Sequence, residues 1–367
     1  MRAWIYLIGL LTLCGARLVA AATWQSCHLS GHGDALRCTA MAVPRDYADA
    51  AKGSIDLHIA LAPAVRAQAE PDPVFVLAGG PGQAGSDIVM LLDTALAKAR
   101  ASRDIVFIDP RGTGRSGRLN CDDGSDPLTR GDEALRDATL ACLRGFGESL
   151  LTYSTESAAE DLDRVRIALG AERINLWGGS YGTRLAQVYA QRHPAQVRSL
   201  ILDGVVDADL IIGADDLAFQ TALDALLQRC AGDADCARAF PSLANDLDAL
   251  LRNLDAAAAT ATLPHPRSGR PVAAPVSRLR LLQTIKHLLY SPRSAARVPY
   301  LITRARAGDW RPLLAVQASS VDVAVAPPAG GLLMTIACRE DWPRLDASRR
   351  AEQANSRTFG GRSLAEF

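Results

Sequence analysis

What the chain is short of narrows its role before any motif is considered. Forty basic residues are balanced by forty acidic ones, giving a formal net charge of +0, and the only lysines are Lys52, Lys98 and Lys286. A chain with no basic excess carries no electrostatic footprint for nucleic acid. The bias toward arginine reads as genomic base composition and marks no site. There is no Cys-x-x-Cys pair and no cluster of histidines, so a structural zinc site is not indicated. No lysine follows a glycine-rich turn at the spacing of a phosphate-binding loop. No internal repeat is visible, and the apolar run at the start, Ile5–Leu13, is too short to span a bilayer.

What is present is a globular composition. The 367 residues are 49% hydrophobic with mean hydropathy +0.05, enough for one large α/β domain with an insertion or for two domains. Met1–Ala22 reads as a signal peptide, with Arg2 before the apolar run and Ala20-Ala21-Ala22 as a small-residue cleavage site. Leu13 stands before Cys14, where lipid attachment would want a small residue. The expectation is an exported protein, periplasmic or secreted, with no membrane span in the mature chain. An exported chain pairs its cysteines, and neighbours in sequence suggest Cys27–Cys38, Cys121–Cys142 and Cys230–Cys236, leaving Cys338 over.

Along the chain, Trp24–Pro44 reads as a polar lead-in and the alternation of Ser54–Leu61 as a half-buried strand. Buried strands follow at Pro73–Leu77, Asp104–Ile108, Ile174–Trp177 and Val197–Leu202. Helical patterns separate them at Ile88–Arg100, at Glu133–Leu143 and at Glu156–Leu169, the last capped by Ser154 or Thr155. Strands alternating with helices imply a mainly parallel sheet with helices on both faces. After Val206 the pattern becomes helical, at Asp215–Leu227, Leu243–Ala259 and Leu279–Leu289, with Pro264–Pro275 as a proline-rich break. Gly331–Ala337 returns to strand-like character, and Trp342–Phe367 is polar. The expected organisation is a signal peptide over 1–22, an α/β core over 23–206, a helical cap over 207–328 and a return to the core over 329–367.

Arg173–Gln191 organises the rest. An apolar run leads into Gly178-Gly179-Ser180-Tyr181-Gly182, and a helical pattern follows. Gly-x-Ser-x-Gly between a strand and a helix is the context of a nucleophile elbow. Glycines at 178 and 182 remove the Cβ atoms that would collide in so tight a turn. The turn holds the Ser180 hydroxyl proud of the sheet, and the helix N-terminus offers backbone N–H groups to a developing oxyanion. One donor is expected from Tyr181, the residue after the nucleophile, and the other from the loop after an earlier strand. Gly79-Gly80-Pro81-Gly82 occupies that loop, with Gly80 as the donor and Gly79 as the neighbour able to share the role.

The set LAGGPGQAG, DPRGTGRS, GGSYGTRLA, LILDGVV and TIACRED, spread over Trp24–Asp341, resembles the exported tripeptidyl-aminopeptidase and proline-iminopeptidase-like branch of the α/β-hydrolases. The resemblance implies an α/β-hydrolase fold with an inserted helical cap. It implies a serine peptidase releasing amino acids or short peptides from free N-termini through an acyl-enzyme on Ser180, without cofactor or metal. An acyl esterase acting on small esters is the neighbouring alternative, and a binding remnant of such a hydrolase a further one. Ala78 departs from the histidine the family usually carries before Gly-Gly-Pro-Gly. Asp109 and Arg111 in DPRGTGRS read as a structural loop or a substrate contact. Glu340 and Asp341 fall where such enzymes place acidic groups near the substrate's amino terminus, able to bind an ammonium by charge-assisted hydrogen bonds.

A serine hydroxyl needs a base that is itself oriented by an acid. The histidines after Ser180 are His193, beyond the end of the following helix, and His265 and His287 in the helical region. None is well placed, and Asp203 looks structural. From Leu288 to Phe367 there is no histidine, and the resemblance implies an acid loop, a closing Gly-His and a partner for Cys338 that are missing here. The expectation is the front portion of a longer hydrolase, its C-terminal strands missing and the chain by itself inactive.

Overall fold

A seven-stranded sheet carries the site. Its strands are β1 (Gln25–Cys27), β2 (Leu36–Pro44), β3 (Ser54–Ala62), β4 (Val74–Leu77), β5 (Ile105–Ile108), β6 (Ile174–Gly179) and β7 (Val197–Asp203), in the spatial order β1-β2-β3-β5-β4-β6-β7. The computed structural model describes residues 23–121, 124–126, 128–265, 267–322 and 329–360; the expected signal peptide lies outside them. β1, β2, β3 and β5 pair antiparallel, whereas β5, β4, β6 and β7 run parallel. The core is thus the expected mainly parallel sheet.

Side chains alternate across a strand, and here both sets are buried. Phe75, Leu77, Val106, Ile108, Ile174 and Leu176 meet one face. Val74, Val76, Ile105 and Phe107 meet the other, against the single-turn helices of Gly85–Asp93. Two-sided burial is why these parallel strands read as continuous apolar runs rather than as alternation. Helices α1 (Asp132–Phe146), α2 (Thr155–Ala168) and α3 (Tyr181–Arg192) follow. Ser154 caps α2 by accepting the Ser157 amide.

After β7 comes a helical insert: α4 (Asp216–Gly232), α5 (Leu243–Ala256), α6 (Arg278–Leu289), α7 (Val298–Arg306) and α8 (Arg311–Asp322). It has an apolar core of its own, including Leu223, Leu247, Leu250, Leu281, Ile285, Ile302 and Leu314. Two further helices, α9 (Gly330–Ile336) and α10 (Ala347–Ala354), complete the described chain. The disulfides are Cys27–Cys38, Cys121–Cys142 and Cys230–Cys236, with Cys338 free, as the spacing predicts. Among the described residues, no helix is long and apolar enough to cross a membrane.

Five local expectations are corrected. The lead-in contains β1 and β2, whose antiparallel partners lie in each other and in β3. Ile88–Arg100 is not one helix but tight turns over Gly85–Asp93 followed by a short helix at Ala97–Arg100. Pro264–Pro275 is no simple break: β8 (Ala259–Pro264) and β9 (Pro271–Val276) form a two-stranded hairpin. It tolerates proline because strand ends and edges need no ladder donor. Gly331–Ala337 is helical, not strand-like. Finally, Val197–Leu202 forms a strand but not a buried one, since β7 stands at the sheet edge with Leu200 and Ile201 exposed.

Candidate functional site

β6 delivers Ser180 to the C-terminal end of the parallel strands, and α3 begins at the next residue. Ser180 has φ 53 and ψ −123, the one positive φ outside glycine among the described residues. A non-glycine residue in such a region is strained by about 1–3 kcal/mol. The Ser180 amide is held by the Asp203 carbonyl at 2.8 Å, which ties the elbow to the end of β7. That bond uses the Asp203 backbone and not its carboxylate.

The glycines do what the spacing requires. A Cβ on Gly182 would stand 2.1 Å from the Leu77 carbonyl oxygen, and one on Gly178 2.4 Å from that of Gly182. The first turn of α3 is therefore seated directly on the end of β4. The loop after β4 closes on the serine from the same side: a Cβ on Gly79 would lie 3.0 Å from Ser180 Cβ and 3.5 Å from its Oγ. The Gly79 amide donates to Gln83 Oε1 at 3.2 Å. Ser180 and Gly80 are both exposed to solvent. A cavity of about 20 Å³ lies beneath, lined by Gly79, Gly82, Tyr181, Leu332 and Ile336. A larger one of about 370 Å³ opens toward the insert, lined by Asp215, Phe219, Lys286, Tyr290, Met334 and Trp342. Helix α9 stands between the two, giving Leu332 and Ile336 to the first and Leu333 and Met334 to the second.

The Asp109–Ser116 loop, which follows β5, is structural. Arg111 is 1% exposed. Its guanidinium donates to both Asp161 oxygens (2.7 and 2.6 Å) and to the carbonyls of Pro44, Arg45 and Thr152. No donor remains for a substrate. Burial alone would raise the pKa of Asp109, but His58 and the amides of Arg115 and Ser86 outweigh it and hold the carboxyl below the usual carboxylate range.

Glu340 and Asp341 are brought next to the elbow, but onto protein partners. Asp341 is 0% exposed and receives Arg184, Arg344 and the Ile212 amide. Glu340 receives the Thr155 amide at 2.7 Å and its hydroxyl at 2.6 Å. Motif reading alone did not reveal these bonds.

The histidines are elsewhere. His193 lies at the far end of α3, 3.5 Å from Glu160; His265 pairs with Asp126 at 3.2 Å; His287 lines the larger cavity. Among the described residues none hydrogen-bonds Ser180, and no group of residues could hold a metal.

The family model for the alpha/beta hydrolase fold matches residues 72–320. The chain belongs to that family. This α/β-hydrolase is 31% identical over 230 residues to "Putative hydrolase YuaR" of Escherichia coli, covering 57% of the chain and 46% of the relative. It is 31% identical over 269 residues to "Serine protease Hip1" of Mycobacterium tuberculosis, covering 63% and 51%. With "Tripeptidyl aminopeptidase" of Streptomyces lividans it shares 29% over 225 residues, covering 56% and 41%. The chain spans about half the length of the curated relatives it matches.

Proposed function

We propose that this chain carries the nucleophile of an exported serine exopeptidase that releases amino acids or short peptides from free N-termini. Ser180 Oγ attacks the scissile carbonyl carbon. The amides of Tyr181 and Gly80 receive the oxyanion, and Gly79 shapes the loop between them. The C–N bond then breaks, the Ser180 proton passes through a base to the leaving amine, and water later hydrolyses the ester. The observation that carries this reading is the strained, solvent-open Ser180 packed against Gly79. Occupation of the Gly79 amide by Gln83 favours Gly80 as the loop's donor. Peptidase chemistry is supported by the names of two relatives. Export is supported by the leader-like start and the three disulfides. The helical insert serves as the cap over the substrate.

A second reading has its own observation. Among the described residues no histidine contacts Ser180, which favours a substrate-binding remnant that does not turn over. A fluorophosphonate probe separates the two. Labelling of the full chain, lost in Ser180→Ala, establishes an activated nucleophile. Tripeptidyl and aminoacyl p-nitroanilides compared with p-nitrophenyl esters then define the chemistry: cleavage of the anilides supports the peptidase, and esters alone mean an acyl esterase. Absence of labelling fits either the binding remnant or the front portion of a hydrolase without its base.

A further inference from the structure

The charged run Arg339-Glu340-Asp341 lies in a π-helical turn, Ala337–Asp341, directly after α9. Such turns are rare and concentrate at functional sites. Each charged residue of this turn reaches a different element. Arg339 donates to the carbonyl of Leu151 at 2.7 Å, in the turn before α2. Glu340 sits at the N-terminus of α2, where an anion is favoured by the unpaired amides, and takes the Thr155 amide and hydroxyl. Thr155 Oγ1 is also 2.6 Å from the Tyr181 hydroxyl. Its single proton goes to Glu340, so Tyr181 is the donor to Thr155. Burial, and then the charge of Glu340, push the Tyr181 hydroxyl well above the ordinary tyrosine range, which keeps that proton in place.

Asp341 works one residue further on. It binds Arg184 through both oxygens, at 2.9 and 3.1 Å, and receives the Ile212 amide. Arg184 in turn donates to the Leu210 carbonyl at 2.6 Å, and Arg344 bonds Ala208 and the Glu340 carbonyl. Tyr181 and Arg184 are three residues apart in the first turn of α3, so they share a face. Adjacent carboxylates therefore grip that turn at two points, while Arg184, Arg344 and Asp341 together hold Ala208–Ile212, the segment that leaves the core for the insert.

We propose that Glu340 and Asp341 are positioning residues. Through Thr155–Tyr181 and through Arg184 they fix the strained elbow and its oxyanion donor, and they lock the Ala208–Ile212 stem of the insert to it. The geometric part stands on the bonds above; its effect on reactivity rests on the serine-hydrolase reading.

The test uses the full chain and the variants Glu340→Ala, Glu340→Gln, Asp341→Asn and Thr155→Val. Amide hydrogen exchange is followed at residues 181–184 and 208–212, with α5 as the internal control. The expected result is exchange at least about tenfold faster at both segments in Asp341→Asn, and at 181–184 in Glu340→Ala and Thr155→Val, with α5 unchanged. Glu340→Gln keeps a carbonyl for the Thr155 amide and restores most of the protection. If Asp341→Asn does not fold, Thr155→Val carries the measurement alone, since it removes only the hydroxyl relay. Fluorophosphonate labelling should fall alongside exchange protection, with kcat lowered and KM for free N-terminal substrates little changed. A rise in KM confined to free N-termini, with exchange unchanged, would mean that these acids bind the substrate's ammonium and would overturn the proposal. Unchanged exchange in every folded variant overturns it as well. If the wild-type chain is unlabelled but exchange responds as expected, the positioning role stands without an activated nucleophile.

Discussion

The loops after β5 and β6 look alike in sequence and behave in opposite ways. Both are glycine-rich, both follow a buried parallel strand, and both hold a serine. In the first, Asp109, Arg111, Thr113 and Ser116 are all buried, and polar atoms are matched to partners; Ser116 accepts the His58 amide and donates to the Asp109 carbonyl. In the second, Ser180 is exposed on a strained backbone and its hydroxyl has no hydrogen-bond partner among the described residues. A polar side chain whose bonds are all made within the fold stabilises it. One held in strain and left open is available for chemistry.

The strongest way to sharpen this contrast is Arg111→Met. It leaves Asp161 as a buried, uncompensated charge and three carbonyls without their donor, so unfolding in urea should show a loss of about 3–5 kcal/mol. Equal stability in the variant would break the structural reading of the first loop. Gly182→Ala comes next. Its methyl would meet the Leu77 carbonyl oxygen, and forced overpacking costs about 1–3 kcal/mol; labelling of Ser180 should disappear with it.

The second loop should respond in the opposite direction. Ser180→Gly relieves the positive φ and, after the extra chain entropy of glycine, should raise stability by about 0.5–1 kcal/mol while abolishing labelling. A loss of stability would show that the serine is held by bonds after all. The smallest effect is on pH. The folded pKa of Asp109 is depressed, so its contribution is present above the ordinary aspartate pKa, about 3.9, and is lost as pH falls through the lower folded value. Melting temperature should therefore drop below about pH 4, and by less in Asp109→Asn.

Much of the core was legible because burial on both faces writes itself as unbroken apolar runs; β4, β5 and β6 were read within a residue or two. The helix starting at Thr155 was legible from its cap at Ser154. β2 was not: Leu36–Pro44 alternates poorly on its own, and its order comes from pairing with β3. Gly330–Ile336 could not be told from a strand by periodicity, because a short helix contacting neighbours on two faces is apolar all round. β7 has the composition of an interior strand yet sits at an edge, a property of neighbours rather than of its own residues. At the site, the tight turn at Ser180 and the glycine loop that packs against it were visible as motifs. The partners of Glu340 and Asp341 were not, since a carboxylate in sequence does not announce which cation or amide it will meet.

The three disulfides among the described residues span 11, 21 and 6 residues, so each of these cross-links is local and none of them joins the sheet to the insert. Reduction would loosen three short loops and leave the overall arrangement to non-covalent contacts. Under a pulling force, the cross-links would not keep the insert on the sheet, and the load would fall on contacts such as the buried Arg184–Asp341 pair.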